Sequence, residues 1–210
     1  MFDSIYTKAL LFLIIISFFS CVGTKIHDDR FHTFTGKSEW SETEIEICES
    51  TSTIIEGSDS TKIIFKKTNL PGQGQAQPLL RTVWRKPKNR TYVVSVQFCN
   101  KRNDLCFDIL PDSAKTGLVG HELVHVQDYK NRGFFNMLWM GIKYSLCKKY
   151  RTRIEYVTDS TTIANGMGYE VLNLLRFVEN SGLASEKYLK RKEKFYMDTL
   201  EIIRLIELTD

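Results

Sequence analysis

The sequence predicts an α+β fold, with an N-terminal antiparallel sheet followed by a helical half. Three observations predict it. Short β-branched and aromatic runs broken by turn residues fill residues 44–110, apolar residues return at helical spacing after Pro111, and the whole is one domain long. The chain has 210 residues, 42% apolar and 26% charged, which is enough for a single soluble core. Strands are expected at 45–48, 53–56, 62–67, 81–85, 92–99 and 105–110. Residues 69–75 read as a mobile loop, because their Gly72-Gln73-Gly74 is not followed by the Lys and Ser/Thr helix of a phosphate loop.

Asp112 or Ser113 can cap the first of the later helices, which runs to about Asn131 with Gly133 placed to end it. A strongly apolar helix is expected over 134–150, and a third over 152–165 that Gly166 and Gly168 terminate. Two more follow at 169–179 and 186–207, the last with an apolar face at Tyr188, Phe195, Ile202 and Ile206. The Phe- and Trp-bearing run 134–140 fits either a membrane surface or the core; a helix following the central one is expected to pack inside.

Near the N-terminus, Lys8 precedes an apolar run, 9–19, about half the length a membrane-spanning helix needs. That is the pattern of an export signal. Its end, Phe18-Phe19-Ser20-Cys21, resembles the lipobox of bacterial lipoproteins. The resemblance implies a signal over 1–20, a lipidated Cys21 followed by a tether over 21–40, and one domain over 41–210. It implies a bacterial cell envelope location, outer membrane or periplasmic face, with the membrane reached through a lipid anchor in which each buried methylene adds about 0.8 kcal/mol. His27 and His32 are expected in water. Export also permits disulfides, and Cys99 with Cys106 closes a short turn as the favoured pair, leaving Cys48 for Cys147. The net charge of +4 is spread among interleaved carboxylates, so no nucleic-acid partner is expected.

The chemistry lies in Gly120-His121-Glu122-Leu123-Val124-His125. Residues four apart share a helix face, so two imidazoles at this spacing can meet one zinc ion at about 2.0–2.1 Å. Glu122, one residue on, reaches the ion's open side as the base that activates water. A third ligand must come from elsewhere, because no histidine follows His125, and Asp128 on the same helix cannot converge with the pair.

Glu155 in Arg153-Ile154-Glu155-Tyr156-Val157-Thr158-Asp159 follows downstream. With the H-E-x-x-H helix, this E-x-x-x-D stretch resembles the gluzincins, zinc metallopeptidases whose third ligand is a glutamate on a later helix. The resemblance covers residues 111–170. It implies a zincin-like domain, Glu155 as third zinc ligand, Asp159 as the carboxylate that orients a ligand imidazole, and a peptide or protein substrate. The chain departs from the pattern in having no later histidine to stabilise the oxyanion, so Tyr156, Tyr169, Arg151 or Arg153 is expected to serve. The strand at 92–98 is the expected edge for holding a substrate strand. Two functions follow: a zinc metallopeptidase of the envelope, or a noncatalytic lipoprotein that keeps the fold as a binding or structural module.

Overall fold

The computed structural model describes residues 32–36, 39–56, 61–99 and 105–209. The expected signal, Cys21 and His27 lie outside them. The fold is mixed α/β, with a four-stranded sheet in the first half and helices around and after it. The strands are β1 (His32–Thr35), β2 (Lys62–Thr68), β3 (Gly74–Pro78) and β4 (Thr91–Gln97), in the order β1-β2-β4-β3.

The sheet is not the antiparallel one expected. β1 and β4 both run parallel to β2, with Ile63 opposite His32 and Tyr92, and only β3 runs antiparallel to β4. Parallel neighbours need a crossover, and α1 (Glu42–Glu56) supplies it between β1 and β2. This helix replaces the strands expected at 45–48 and 53–56. Its start is a capping box: the Glu44 N–H donates to Ser41 Oγ at 3.2 Å, and the Ser41 N–H donates to Glu44 Oε2 at 3.0 Å. Its buried residues, Glu44, Cys48, Thr51, Ser52 and Ile55, recur at helical spacing.

Other expectations shift too. The stretches 81–85 and 105–110 do not join the sheet; 3-10 turns form there, Leu80–Thr82 and Phe107–Ile109. Of residues 69–75, expected as a loop, Gly74 and Gln75 are instead the first two residues of β3, drawn in by pairing with Val96 and Ser95 of β4. His32, assigned to the tether, opens β1 and packs its ring on Phe65 at 5.9 Å. Cys99 and Cys106 are joined by a disulfide. Cys48 is buried and Cys147 exposed, both free, so the leftover pair does not form.

The later helices are α2 (Asp112–Lys130), α3 (Phe134–Leu146), α4 (Lys148–Thr162), α5 (Gly168–Asn180), α6 (Glu186–Phe195) and α7 (Thr199–Thr209). The expected last helix is thus two, broken at 196–198. Between α4 and α5 the chain makes a π turn that carries Gly166 at φ +83°, a conformation open to glycine. α2 is the central helix. Its Val119, Leu123 and Val126 join Phe65, Tyr92, Val94 and Val96 of the sheet in one core. On its other side α2 meets α5 backbone to backbone: a Cβ at Gly117 would stand 2.4 Å from the Glu170 carbonyl oxygen. A smaller core of Val171, Leu172, Leu175, Ile202 and Ile206 joins α5 to α7.

α3 corrects a further expectation. It buries Met137 and Met140, but Phe135 is 81% and Trp139 58% exposed. The helix lies on the surface and is not a core helix.

Candidate metal centre

The site is built where α4 crosses the middle of α2. His121 and His125 stand one turn apart on α2, with ring centroids 4.9 Å apart, and Glu155 of α4 enters between them. Glu155 Oε2 lies 3.2 Å from His121 Nε2 and 3.6 Å from His125 Nε2. One ligand atom from each of the three residues lies within 4.8 Å of the others, and all three residues are buried. They form a possible metal-binding group.

Behind the imidazoles the partners are equally specific. His121 Nδ1 lies 2.7 Å from Asp159 Oδ1, and His125 Nδ1 lies 3.3 Å from Thr158 Oγ1. Thr158 gives its own proton to the Ile154 carbonyl at 2.9 Å, so its oxygen accepts from His125. In the neutral tautomers each Nδ1 carries the proton. Both Nε2 lone pairs then point at the Glu155 carboxylate, three acceptors with no donor among them. A divalent cation satisfies that geometry, and a proton shared on Nε2 does so less completely. Burial works against charging His121, but the Asp159 and Glu155 carboxylates outweigh it and hold its pKa well above the usual imidazole range. Burial likewise works against ionised Glu155, yet the two imidazoles hold it well below the usual carboxylate range.

Glu122 lies on the β3 side. Burial, ahead of the opposing pull of His121 and His125, raises its pKa, and it accepts from the backbone N–H of Ala76. The Ala76 carbonyl accepts from the Tyr129 hydroxyl at 3.3 Å. β3, not the 92–98 stretch, is therefore the edge strand at the site; β4 is enclosed between β2 and β3. Gly74 at the start of β3 leaves room for the Glu122 carboxylate, because a Cβ there would stand 2.5 Å from Glu122 Oε1.

None of the residues expected to face an oxyanion does so. Tyr156 donates to Glu201 at 2.8 Å, Tyr169 is 59% exposed, and Arg151 donates to the Tyr144 carbonyl at 3.0 Å. Arg153 lines a separate groove with Asp128 and Arg132. Different tyrosines occupy the site. Tyr144 of α3 donates to Glu155 Oε1, and Tyr196, just past α6, has its ring 5.8 Å from that of His121. A narrow cleft opens beside His121 and Glu122, lined also by Gln73, Tyr188, Lys192 and Tyr196. Burial lowers the Lys192 pKa to about 8, against the pull of Glu179 and Asp159.

Compared with known proteins, the chain matches no family model, no curated protein and no solved structure.

Proposed function

We propose that the chain is a zinc-dependent peptidase of the cell envelope. The observation that carries this reading is the convergence of His121, His125 and Glu155 directly beside a buried Glu122 and an edge strand. Two imidazoles and one carboxylate are the ligand set of catalytic zinc sites that keep a fourth position open. When bound, zinc lowers the pKa of water toward neutrality and polarises a carbonyl.

The protein residues supply the rest. Glu122, with its raised pKa, takes a proton from the attacking water and returns it to the leaving nitrogen. Asp159 and Thr158 fix the tautomers that turn both Nε2 atoms forward. Tyr144 fixes the Glu155 carboxylate from the far side. Tyr196, which lines the cleft beside His121, is the hydroxyl assigned to the developing oxyanion. An extended peptide laid along β3 would pass Glu122, and Gln73, whose buried Oε1 has no partner among the described residues, can accept an N–H from it.

The test pairs zinc content with cleavage of an unfolded protein substrate. Wild type is expected to hold one zinc and cleave. Glu155→Ala should lose the zinc, and Glu122→Gln should keep it while cleaving about 10²–10⁴-fold more slowly. Zinc binding without cleavage of any peptide library member would favour the binding-module reading. No zinc in wild type would overturn the peptidase reading and leave the noncatalytic module.

A further inference from the structure

α3 carries an apolar stripe on its outer face. Phe135, Leu138, Trp139, Ile142 and Leu146 stand at helical intervals of three and four, and all but Ile142 are counted among the exposed residues. The opposite face holds the protein through Met137, Met140 and Tyr144. A second element extends the stripe: Trp84, 69% exposed, packs on Phe134 with ring centroids 4.3 Å apart. Leu80 is exposed in the turn just before it.

The surroundings carry one sign of charge. No Asp or Glu stands between Asp59 and Asp104, or between Asp128 and Glu155, and these are the two stretches that supply the patch. Arg85, Lys86 and Lys88 follow Trp84, all exposed, and Lys143, Lys148 and Lys149 flank the end of α3. Lys143 lies 5.2 Å from the Trp139 ring centroid, so the cation and the indole present together. A protein partner of ordinary composition would meet these cations with only its scattered carboxylates. An anionic bilayer meets all of them at once and takes the aromatic and aliphatic side chains at headgroup depth. No helix among the described residues is long and apolar enough to cross a membrane, so the fit is to lying on the surface.

We propose that the outer face of α3, with Trp84, docks on an anionic lipid bilayer, independently of any N-terminal anchor and of the metal site's activity. Tyr144, on the inner face of the same helix, binds Glu155, so the docked helix is also the one that braces the metal centre.

The chain has three tryptophans, and they make the test direct. Trp40 is buried, whereas Trp84 and Trp139 lie in the patch. The full chain is mixed with phosphatidylglycerol-containing vesicles whose acyl chains are brominated at a shallow carbon. In the Trp84→Phe variant, Trp139 emission should fall at least twofold relative to unbrominated vesicles. Phe135→Ser combined with Leu138→Ser should remove more than half of that quenching, with far-ultraviolet circular dichroism unchanged. Phosphatidylcholine vesicles or high salt should weaken it, since the headgroup attraction is screened. Vesicle-bound protein whose Trp139 stays fully quenchable by aqueous acrylamide and untouched by bromine would overturn the proposal. So would failure to bind the vesicles, or protection of Trp139 that rises with protein concentration without lipid, which assigns the face to a second copy.

Discussion

Two buried charge clusters sit little more than a turn apart along α2, and they are completed in opposite ways. At the first, Lys67 Nζ uses all three of its protons, donating to the Glu39 carbonyl at 2.6 Å, to Glu44 at 2.9 Å and to Asp108. Lys115 of α2 adds a second cation 3.4 Å from Glu44, and the Trp40 ring lies 5.0 Å from Lys67. Each ammonium there has its carboxylates, Lys115 also meeting the exposed Asp112 at 3.6 Å, and the cluster is finished without outside help. At the second, Glu122, Glu155 and Asp159 gather around two imidazoles whose forward nitrogens both face a carboxylate. Acceptors outnumber donors there. A matched cluster stabilises a fold, whereas an unmatched one with fixed tautomers is prepared for a cation.

The contrast can be broken at its strongest point first. His121→Ala should abolish zinc binding and cleavage together, read by elemental analysis and a peptide assay on the folded fraction. Lys67→Met should do the reverse. Removing one member of a buried pair costs about 3–5 kcal/mol, so denaturant unfolding should shift strongly while the zinc content of the folded fraction stays at the wild-type level. Zinc loss in Lys67→Met would show that the two clusters are one unit.

Smaller changes sharpen the contrast. Thr158→Val keeps the shape but removes the acceptor behind His125, and zinc affinity measured by chelator competition should fall about 10-fold or more. The smallest effect is a pH dependence of the matched cluster. Burial opposes ionisation of Glu44, but the Lys67 hydrogen bond, the Ser41 N–H and the nearby cations outweigh it and hold its folded pKa below the ordinary value. Its contribution is therefore present above the unfolded pKa of about 4.3 and lost as pH falls through the lower folded value. Unfolding free energy of wild type should drop over that acid range more steeply than that of Glu44→Gln.

The sequence made the α2 half of the site legible because it is local: His121, Glu122 and His125 lie within one turn and a half, after a helix start that Pro111 and Asp112 mark. Glu155 and Asp159 were reachable only through the gluzincin resemblance, since nothing local says that α4 crosses α2 at that height. Thr158, Tyr144 and Tyr196 were not legible, because each reaches the histidines or Glu155 only through the packing of a distant element. α1 was misread for a different reason. Its Ile and Thr residues favour strands in isolation, but burial at four- and three-residue intervals decides for helix. The Ser41-x-x-Glu44 capping box was the signal that could have found it. The antiparallel expectation followed from that error, since strands read without a helix between them join most simply as hairpins.

Among the described residues the sheet ends in two open margins, β1 with four residues and β3 with five. Open margins are where identical molecules zip together into aggregates, and length is what such zipping needs. β3 denies it by closing on Pro78, which has no proton to give, and by spending the Ala76 N–H on Glu122. Pairing through β3 is therefore kept short, enough for one bound peptide strand and too little for a growing stack of copies.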